Sequence, residues 1–163
     1  MARENVTENY GSLVDTDSGW RIDFDLNPDS FEDEKSTNIA EINIPGMSHP
    51  RLQFTNGASR SVKFTLYLHY GATDDIIETL NLLQSWLYPE YEGGRLTKAP
   101  AKLMLVFGGT WADELWIMKS CNVTHKKFSK ELDCIFAQVN IELVEYIETS
   151  RDAKEFRNEN GGG

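Results

Sequence analysis

The sequence contains few of the residues and runs that mark secreted or membrane-spanning proteins. It has two cysteines, Cys121 and Cys134, which are too few for a disulfide framework, and we expect both to be structural thiols inside strands. No apolar run approaches the roughly 20 residues that a membrane span requires. The N-terminal segment lacks the apolar core of a signal peptide. The sequence therefore predicts a protein that is made in the cytoplasm and does not enter a membrane.

Catalytic and metal-binding motifs are also missing. His49, His69 and His125 show no metal-ligand spacing, and there is no HExxH, paired CxxC, GxSxG or phosphate-binding loop. Asp23 and Asp25 lie two residues apart on one strand face, but a solvated acidic face gives the same pattern as a catalytic carboxylate pair. We therefore predict no enzymatic activity, no metal ion and no cofactor.

What the chain does contain is an excess of negative charge. It has 26 acidic and 16 basic residues and a net charge of −10, which argues against a surface that grips nucleic acid. The same charge is compatible with a channel wall past which DNA slides without sticking. Eight acidic residues and one basic residue, Arg21, fall within residues 15–34. This segment is either a solvated face or an electronegative surface with a role.

Alternation of apolar and polar residues predicts about seven β-strands. The predicted strand segments are residues 20–26, 38–44, 52–54, 62–69, 102–107, 115–123 and 132–143. Loops are expected at residues 29–35, 88–94 and 125–130. A tight turn at residues 55–58 is expected to join two strands in a long antiparallel hairpin. The alternation changes phase between Phe136 and Ala137, which predicts a bulge.

One segment has helical rather than strand periodicity. Residues 74–87 carry an apolar stripe at three- and four-residue spacing, and Thr73 or Asp74 is suited to cap it. The stripe consists of Ile76, Ile77, Leu80, Leu83 and Leu87. Pro89 is expected to end the helix. We therefore predict a mainly β (α+β) fold, an antiparallel β-sandwich or rolled barrel with one packed helix.

The chain is long enough for one domain with a buried core. Residues 1–19 are polar and weakly periodic, so we expect a flexible N-terminal arm there. Residues 20–148 form the predicted β domain. Residues 149–163 are charged, end in three glycines and are expected to be disordered.

Aromatic residues and one rigid turn are candidates for contact surfaces. Trp20 and Trp86 fall on apolar faces and are expected in the core, whereas Trp111 is expected to be exposed beside a Gly-Gly pair. An exposed Trp111, with Tyr88 and Tyr91, suits either a protein interface or a sugar-stacking platform. The Pro-Gly-Met-Ser-His-Pro element is the rigid turn, in which we expect the histidine to hydrogen-bond locally.

Several segments together resemble a known family. They are FDLNP at 24–28, KSTNIAEI at 35–42, IPGMSHP at 44–50, LQFTNGASRSVKFTLYL at 52–68, LQSWLYP at 83–89 and AQVNIELVE at 137–145. Over residues 20–147 the chain resembles the N-terminal domain of the tube-type baseplate proteins of contractile injection systems, such as contractile phage tails and tailocins. Many members carry a C-terminal LysM module, for which this chain has no room after residue 147. Peptidoglycan binding is therefore not carried over.

The resemblance implies a tail-tube-like fold that packs side by side into a ring, expected to be a hexamer, around a channel. It implies a virion component, assembled in the host cytoplasm, at the junction of tube and baseplate hub. Expected partners are further copies of the chain and the neighbouring tail-tube and hub proteins, with DNA passing through the lumen unbound. The candidate interface residues are Asn27, Pro28, Pro45, Gly46, Ser48, His49, Pro50, Tyr88, Tyr91 and Trp111. The alternative is a small cell-wall-binding or carbohydrate-binding β-module.

Overall fold

The computed structural model describes residues 10–69 and 75–147, which form a mainly β structure with antiparallel strands. The strands are β1 (Ser12–Asp15), β2 (Arg21–Asp23), β3 (Phe31–Glu34), β4 (Thr37–Ile42), β5 (Arg51–Gly57), β6 (Ser61–His69), β7 (Glu90–Glu92), β8 (Arg95–Lys98), β9 (Lys102–Val106), β10 (Leu115–Phe128) and β11 (Cys134–Tyr146), and the helix is α1 (Ile76–Ser85). The predicted mainly β fold class is confirmed.

Seven of these strands form one sheet in the order β2-β1-β9-β10-β11-β6-β3. The long strands β10 and β11 lie in the middle and pair with each other over almost their whole length. β4 pairs only with β5, and β7 only with β8, so each pair is a separate small sheet. The turn that joins β4 to β5 contains five of the ten candidate interface residues, and Tyr91 lies in β7.

The hydrophobic core lies on one face of the large sheet. The inward residues of β6 and β11 are Val62, Phe64, Leu66, Leu68, Ala137, Val139, Ile141 and Leu143, and all are buried. Helix α1 contacts β10 and β11 and buries Ile76, Leu80 and Leu83. The period-two alternation in these strands therefore identified the core face correctly, because every second side chain of a strand points to the same side.

Helix α1 begins at Ile76 and is shorter than the predicted segment 74–87. Its cap is Asp75, whose carboxylate accepts from the backbone N–H groups of Ile77 and Glu78 at 3.0 and 3.1 Å. A cap at Thr73 or Asp74 was expected, so the predicted start is one or two residues early. Ile77 is exposed, because the buried stripe follows the spacing of Ile76 and Leu80.

The N-terminal region contains a strand that the sequence did not predict. β1 lies between β2 and β9 in the large sheet, and its Leu13 is completely buried. The predicted flexible arm over residues 1–19 is therefore wrong for this strand. Its single inward leucine gave no periodic signal. Residues 1–9 and the predicted disordered tail 149–163 lie outside the described residues.

Two predicted loops contain strands. β3 occupies the acidic segment 29–35, where Phe31 packs against Phe64, Phe107 and Trp111 with ring centroids 4.7 to 5.0 Å apart. Phe31 therefore anchors this short edge strand to the core. The predicted loop 88–94 contains β7, which β8 pairs to complete a small hairpin.

The pairing of the middle strands also differs from the prediction. β5 was expected to form a hairpin with the following strand through a turn at residues 55–58, but it continues to Gly57 and pairs with β4. β6 instead pairs with β3 and β11. Local alternation identifies a strand but does not select its partner.

The β10–β11 pair confirms the predicted bulge region. Its register shifts between His125 and Lys127 and again before Phe128, opposite the segment where the alternation changes phase. β10 extends to Phe128, so the basic residues 125–127 lie in a strand, and the turn follows at residues 129–133.

Candidate assembly surfaces

The β4–β5 hairpin, residues 37–57, stands apart from the large sheet. No residue of either strand is buried, and neither strand pairs with the large sheet within the described part of the chain. The strands are held by ladder bonds and by side chains, including a bond of 3.0 Å from Asn38 Nδ2 to Asn56 Oδ1. A two-stranded hairpin alone is marginally stable in water. The hairpin is therefore a candidate contact surface.

Its exposed side chains are unusually apolar. They include Ile39, Ile42, Ile44, Met47, Leu52 and Phe54. Ile39 lies directly opposite Phe54, and Leu52 lies on the same face two residues along. Leu52 is 67% exposed and Phe54 is 65% exposed. Clustered apolar groups of this kind mark contact surfaces rather than ordinary solvent-facing positions.

The turn that closes the β4–β5 hairpin contains Pro45, Gly46, Ser48, His49 and Pro50, all of them exposed. The backbone N–H of Met47 donates to the carbonyl oxygen of Ile44 at 3.2 Å, and Gly46 between them has φ +87°. Proline followed by a positive-φ glycine is the pattern of a type II turn. The imidazole Nδ1 of His49 lies 2.7 Å from the carbonyl oxygen of Ser48. The predicted local hydrogen bond of the histidine is confirmed.

The β7–β8 hairpin is a second exposed surface. Tyr88, Tyr91 and Leu96 are all exposed, and the last two lie opposite each other in the pair. Its two turn glycines both have positive φ, as a two-residue hairpin of type I′ requires. Lys98 ties the hairpin to the β1–β2 turn through Asp17, with 3.5 Å between nitrogen and oxygen.

Asn27 and Pro28 make contacts within the monomer. Pro28 is buried, and the Asn27 Oδ1 accepts from the backbone N–H of Gly11 at 2.8 Å. The pair therefore fastens the start of β1 to the segment after β2. A role of Pro28 in contacting a neighbouring protein would require this packing to open.

The tryptophans are placed differently from the prediction. Trp111 is only 5% exposed, and its indole Nε1 donates to the Asp33 carboxylate at 3.2 Å. The expectation that it is exposed is wrong, because the aromatic side chain of Phe31 packs over it. Trp20 is 61% exposed, although a core position was expected, because β2 begins only at Arg21. Trp86 is buried, as predicted.

The β6 edge, residues 65–69, is an open strand edge. β3 pairs only with Ser61–Phe64, and no other described strand lies beside β6 further along on that side. The backbone N–H of His69 faces this side and donates to Asp25 Oδ2 at 3.2 Å. Because backbone groups alternate along a strand, the N–H groups of Thr65 and Tyr67 face the same open side.

The β10 edge, residues 119–128, is a second open strand edge. β9 pairs only with Leu115–Ile117, and residues 120–128 pair with β11 alone among the described strands. The register places Thr65 beside Asn140 and Asn140 beside Asn122. The β6 edge and the β10 edge therefore lie at the same level on opposite sides of the sheet.

Arg60 forms a partly buried ionic network between these surfaces and the core. Its guanidinium binds both carboxylate oxygens of Asp33 at 2.8 and 2.6 Å and Glu114 Oε1 at 2.5 Å. The side chains of Arg60 and Glu114 are 12% and 5% exposed. The guanidinium carbon also lies 5.8 Å from the centre of the Trp116 ring.

The network changes the ionisation of its members. Hydrogen bonds from Arg60 and then Trp111 hold the pKa of Asp33 below its usual range, although burial opposes this effect. The bond to Asp33 raises the pKa of Arg60. Both groups are therefore charged at all ordinary pH values, as a permanent structural ion pair requires.

No cluster of three His, Cys, Asp or Glu side chains is placed to hold a metal ion in residues 10–69 and 75–147. Both cysteines are free and half-buried, and burial raises the pKa of the Cys121 thiol. Within those same residues no helix is long and apolar enough to span a membrane. The surfaces described above are suited to protein contacts.

Sequence reasoning missed the two open edges and the apolar face of the β4–β5 hairpin. An open edge depends on which strands end early, and that is a property of the whole sheet. The signal that was available is the similarity of residues 52–55 to residues 62–65, which gives two strand segments of the same pattern. Only one of them is needed to complete the core.

One comparison with known proteins gives a match. The sequence model of a family described as contractile injection system tube protein matches residues 5–154, which include every described residue. The comparison with individual curated proteins gives no match. The family match thus extends over the sheet, the helix and both small hairpins.

Proposed function

Because the chain belongs to the contractile injection system tube protein family, we propose that it forms a ring where the inner tube meets the baseplate hub, as a tube initiator or adaptor. Family membership makes the protein a structural tail-tube component of a contractile injection system and argues against an enzyme. The observation that best supports a ring is the pair of open strand edges at one level. Assembly takes place in the host cytoplasm, and the mature protein is part of the tail particle.

Lateral contact is made by the β6 edge of one copy and the β10 edge of the next. Both β6 and β10 are antiparallel to β11, so β6 and β10 run in the same direction. Rotation about an axis along the strands brings these edges together as a parallel pair. A head-to-tail contact of this kind closes into a ring when the rotation divides a full turn. The family resemblance favours six copies.

Axial contact is made by the two small hairpins. The closing turn of the β4–β5 hairpin and the tyrosines of the β7–β8 hairpin are exposed and distinct from both strand edges. A subunit at a junction has to contact different proteins above and below its ring. Two unlike aromatic and aliphatic surfaces support such an adaptor.

The face of the large sheet opposite the core supports a channel wall. It carries polar side chains that bind one another, with Thr65 Oγ1 donating to Asn140 Oδ1 at 2.8 Å and Lys119 paired with Glu142 at 3.3 Å. Mixed charges that are already paired do not grip phosphates. We propose that this face lines the lumen and that DNA passes it without specific binding.

Electron microscopy of negatively stained protein, with the mass in solution from light scattering, tests the ring. We expect rings with a central hole from the parent at high concentration or on a tube template. Tyr67→Pro removes an outward N–H from the β6 edge without removing a ladder bond to β11, and rings should disappear. Tyr67→Ala is the matched control, because it removes the side chain and keeps the N–H. Intact rings from the proline variant would refute lateral edge pairing.

Replacement of Pro45 and Gly46 by alanine tests axial contact. The closing turn loses its fixed geometry, so we expect impaired particle assembly with a folded monomer. Particles that assemble and contract normally from this variant would exclude the turn from the axial contact.

The alternative function is binding to cell wall or carbohydrate. Trp111 is buried and cannot take part, so this alternative rests on Tyr88 and Tyr91. No retention of the protein on peptidoglycan or glycans would remove it.

A further inference from the structure

The junction between the large sheet and the β4–β5 hairpin is an interrupted ladder. β3 leads into β4, and β5 leads into β6, so the pairs β3–β6 and β4–β5 follow one another on the same two chain segments. Two residues, 35–36, separate the ladders on the outgoing segment, and three residues, 58–60, separate them on the returning segment. An unequal break of this kind bends a two-stranded ribbon and makes it a natural hinge.

Two hydrogen bonds hold the two chain segments together at this junction. The N–H of Ala58 donates to the carbonyl of Ser36 at 3.0 Å, and Lys35 Nζ donates to the carbonyl of Ala58. Both bonds join the two segments of the ribbon to each other. Neither of them joins the β4–β5 hairpin to the sheet, so they do not fix its direction.

Arg60 fixes the returning side of the junction to the rest of the sheet. It is the last residue of the junction, and its side chain holds Asp33 of β3 and Glu114 of the turn before β10. Its carbonyl oxygen accepts from the N–H of Glu145 in β11 at 2.9 Å. One residue at the junction is therefore fixed to three separate parts of the body, and two of these links are charge-assisted.

We propose that the Arg60 network is a hinge lock that fixes the direction in which the β4–β5 hairpin leaves the sheet. The hairpin folds through its own ladder, and the lock sets its orientation. A hairpin held in one orientation loses less conformational freedom when it meets a partner. The side chains of Arg60 and Glu114 are largely buried, so the ion pair between them should persist at salt concentrations that weaken surface ion pairs.

Distance measurement between two spin labels in the monomer tests this proposal. Labels are placed at Ser48→Cys in the closing turn and Asn81→Cys on α1, with Cys121 and Cys134 replaced by alanine. The parent should give a narrow distance distribution at both low and high salt. In the neutral variant Arg60→Met with Asp33→Asn and Glu114→Gln, which leaves no unpaired buried charge, we expect the distribution to broaden roughly twofold.

Two controls separate the lock from general damage. Arg95→Met removes an exposed arginine of β8 and should leave the distribution narrow. Thermal unfolding tests whether the neutral variant still unfolds cooperatively. If it does not, Arg60→Lys is the milder variant to measure. A narrow, unshifted distribution in a folded variant would overturn the proposal. The measurement uses isolated monomers, so its result is independent of whether the chain forms rings.

Discussion

Two segments of this chain, ten residues apart, share one sequence pattern and have opposite fates. Residues 52–55 read Leu-Gln-Phe-Thr, and residues 62–65 read Val-Lys-Phe-Thr. Phe64 in β6 is 5% exposed, whereas Phe54 in β5 is 65% exposed. Phe64 belongs to the hydrophobic core, whereas Phe54 lies on the β4–β5 hairpin, which does not contribute to that core. The same local pattern therefore gives a buried strand in one place and an exposed apolar strand in the other.

The difference teaches where the free energy of each segment comes from. Burial of apolar surface stabilises a side chain by about 25 cal/mol for each Å² removed from water. Phe64 obtains this within the monomer, against Phe24 and Phe31. Phe54 would obtain it only if another protein covered the hairpin. Under the proposed function, the hydrophobic contribution of the hairpin is gained in the assembled particle.

The largest expected effect compares two leucines. Leu143 is fully buried in β11, so Leu143→Ala should lower the free energy of unfolding by roughly 2–5 kcal/mol. Leu52→Ala removes the same atoms from the exposed β4–β5 hairpin and should change it by less than about 0.5 kcal/mol. Urea unfolding followed by tryptophan fluorescence measures both. Similar losses would mean that the hairpin packs on the body of the monomer.

A smaller effect is expected at the ion pair of Asp33. Asp33→Asn weakens the bonds to Arg60 and should lower the free energy of unfolding by about 1–2 kcal/mol at neutral pH. The folded pKa of Asp33 lies below the ordinary value of 3.8, so its contribution is present above that pH. It is lost as the pH falls through the folded pKa.

The stability difference between the parent and Asp33→Asn should therefore begin to shrink below about pH 4, where the unfolded carboxylate becomes protonated, and should vanish below the folded pKa, where both states are protonated. Asp23→Asn is the matched control, because that carboxylate is exposed and forms only a surface pair with Arg21. A constant difference between parent and Asp33→Asn from pH 7 to pH 3 would contradict the assigned role.

Much of the fold follows from local pattern. The alternation in β6, β9 and β11 and the three-and-four spacing of α1 identified the elements and their buried faces, because burial selects those periods directly. β1 and β3 were missed, since each is four residues long and neither shows the apolar–polar alternation that marks a half-buried strand. β1 pairs with β9, and β3 pairs with β6, which are both distant in sequence, so no local window contains these contacts.

The assembly surfaces were predictable only in part. The Pro-Gly element indicated a rigid exposed turn, and the tyrosines at 88 and 91 indicated an exposed aromatic site. Trp111 was assigned to the wrong side, because exposure was inferred from neighbouring glycines while Phe31, which covers it, lies far away in sequence. The open edges require knowledge of where β3 and β9 stop, which only the complete sheet provides.

A glycine in the closing turn offers a finer test of the β4–β5 hairpin. Gly46 has φ +87°, so Gly46→Ala should cost about 1–2 kcal/mol locally, although open space surrounds the new Cβ. Gly57→Ala in β5 is the matched control, because its Cβ would meet only Lys35 Nζ at an ordinary 3.7 Å. Hydrogen exchange of the hairpin amides should rise in the first variant alone. Equal exchange rates of the hairpin amides in the two variants would show that the turn tolerates alanine.

The smallest change in monomer stability is expected from a substitution with a large effect on assembly. Phe54→Lys places a charge on the apolar face of the hairpin, and the free energy of unfolding should change by less than about 0.5 kcal/mol because the site is exposed. Incorporation into particles should fail, since a buried unpaired charge opposes the contact that covers Phe54. Ile77→Lys, at an exposed position of α1, makes the same chemical change away from the hairpin and should assemble normally. If both lysine variants assemble equally well, the exposed phenylalanine of β5 is a solvent-facing residue, and the contrast with Phe64 has no functional meaning.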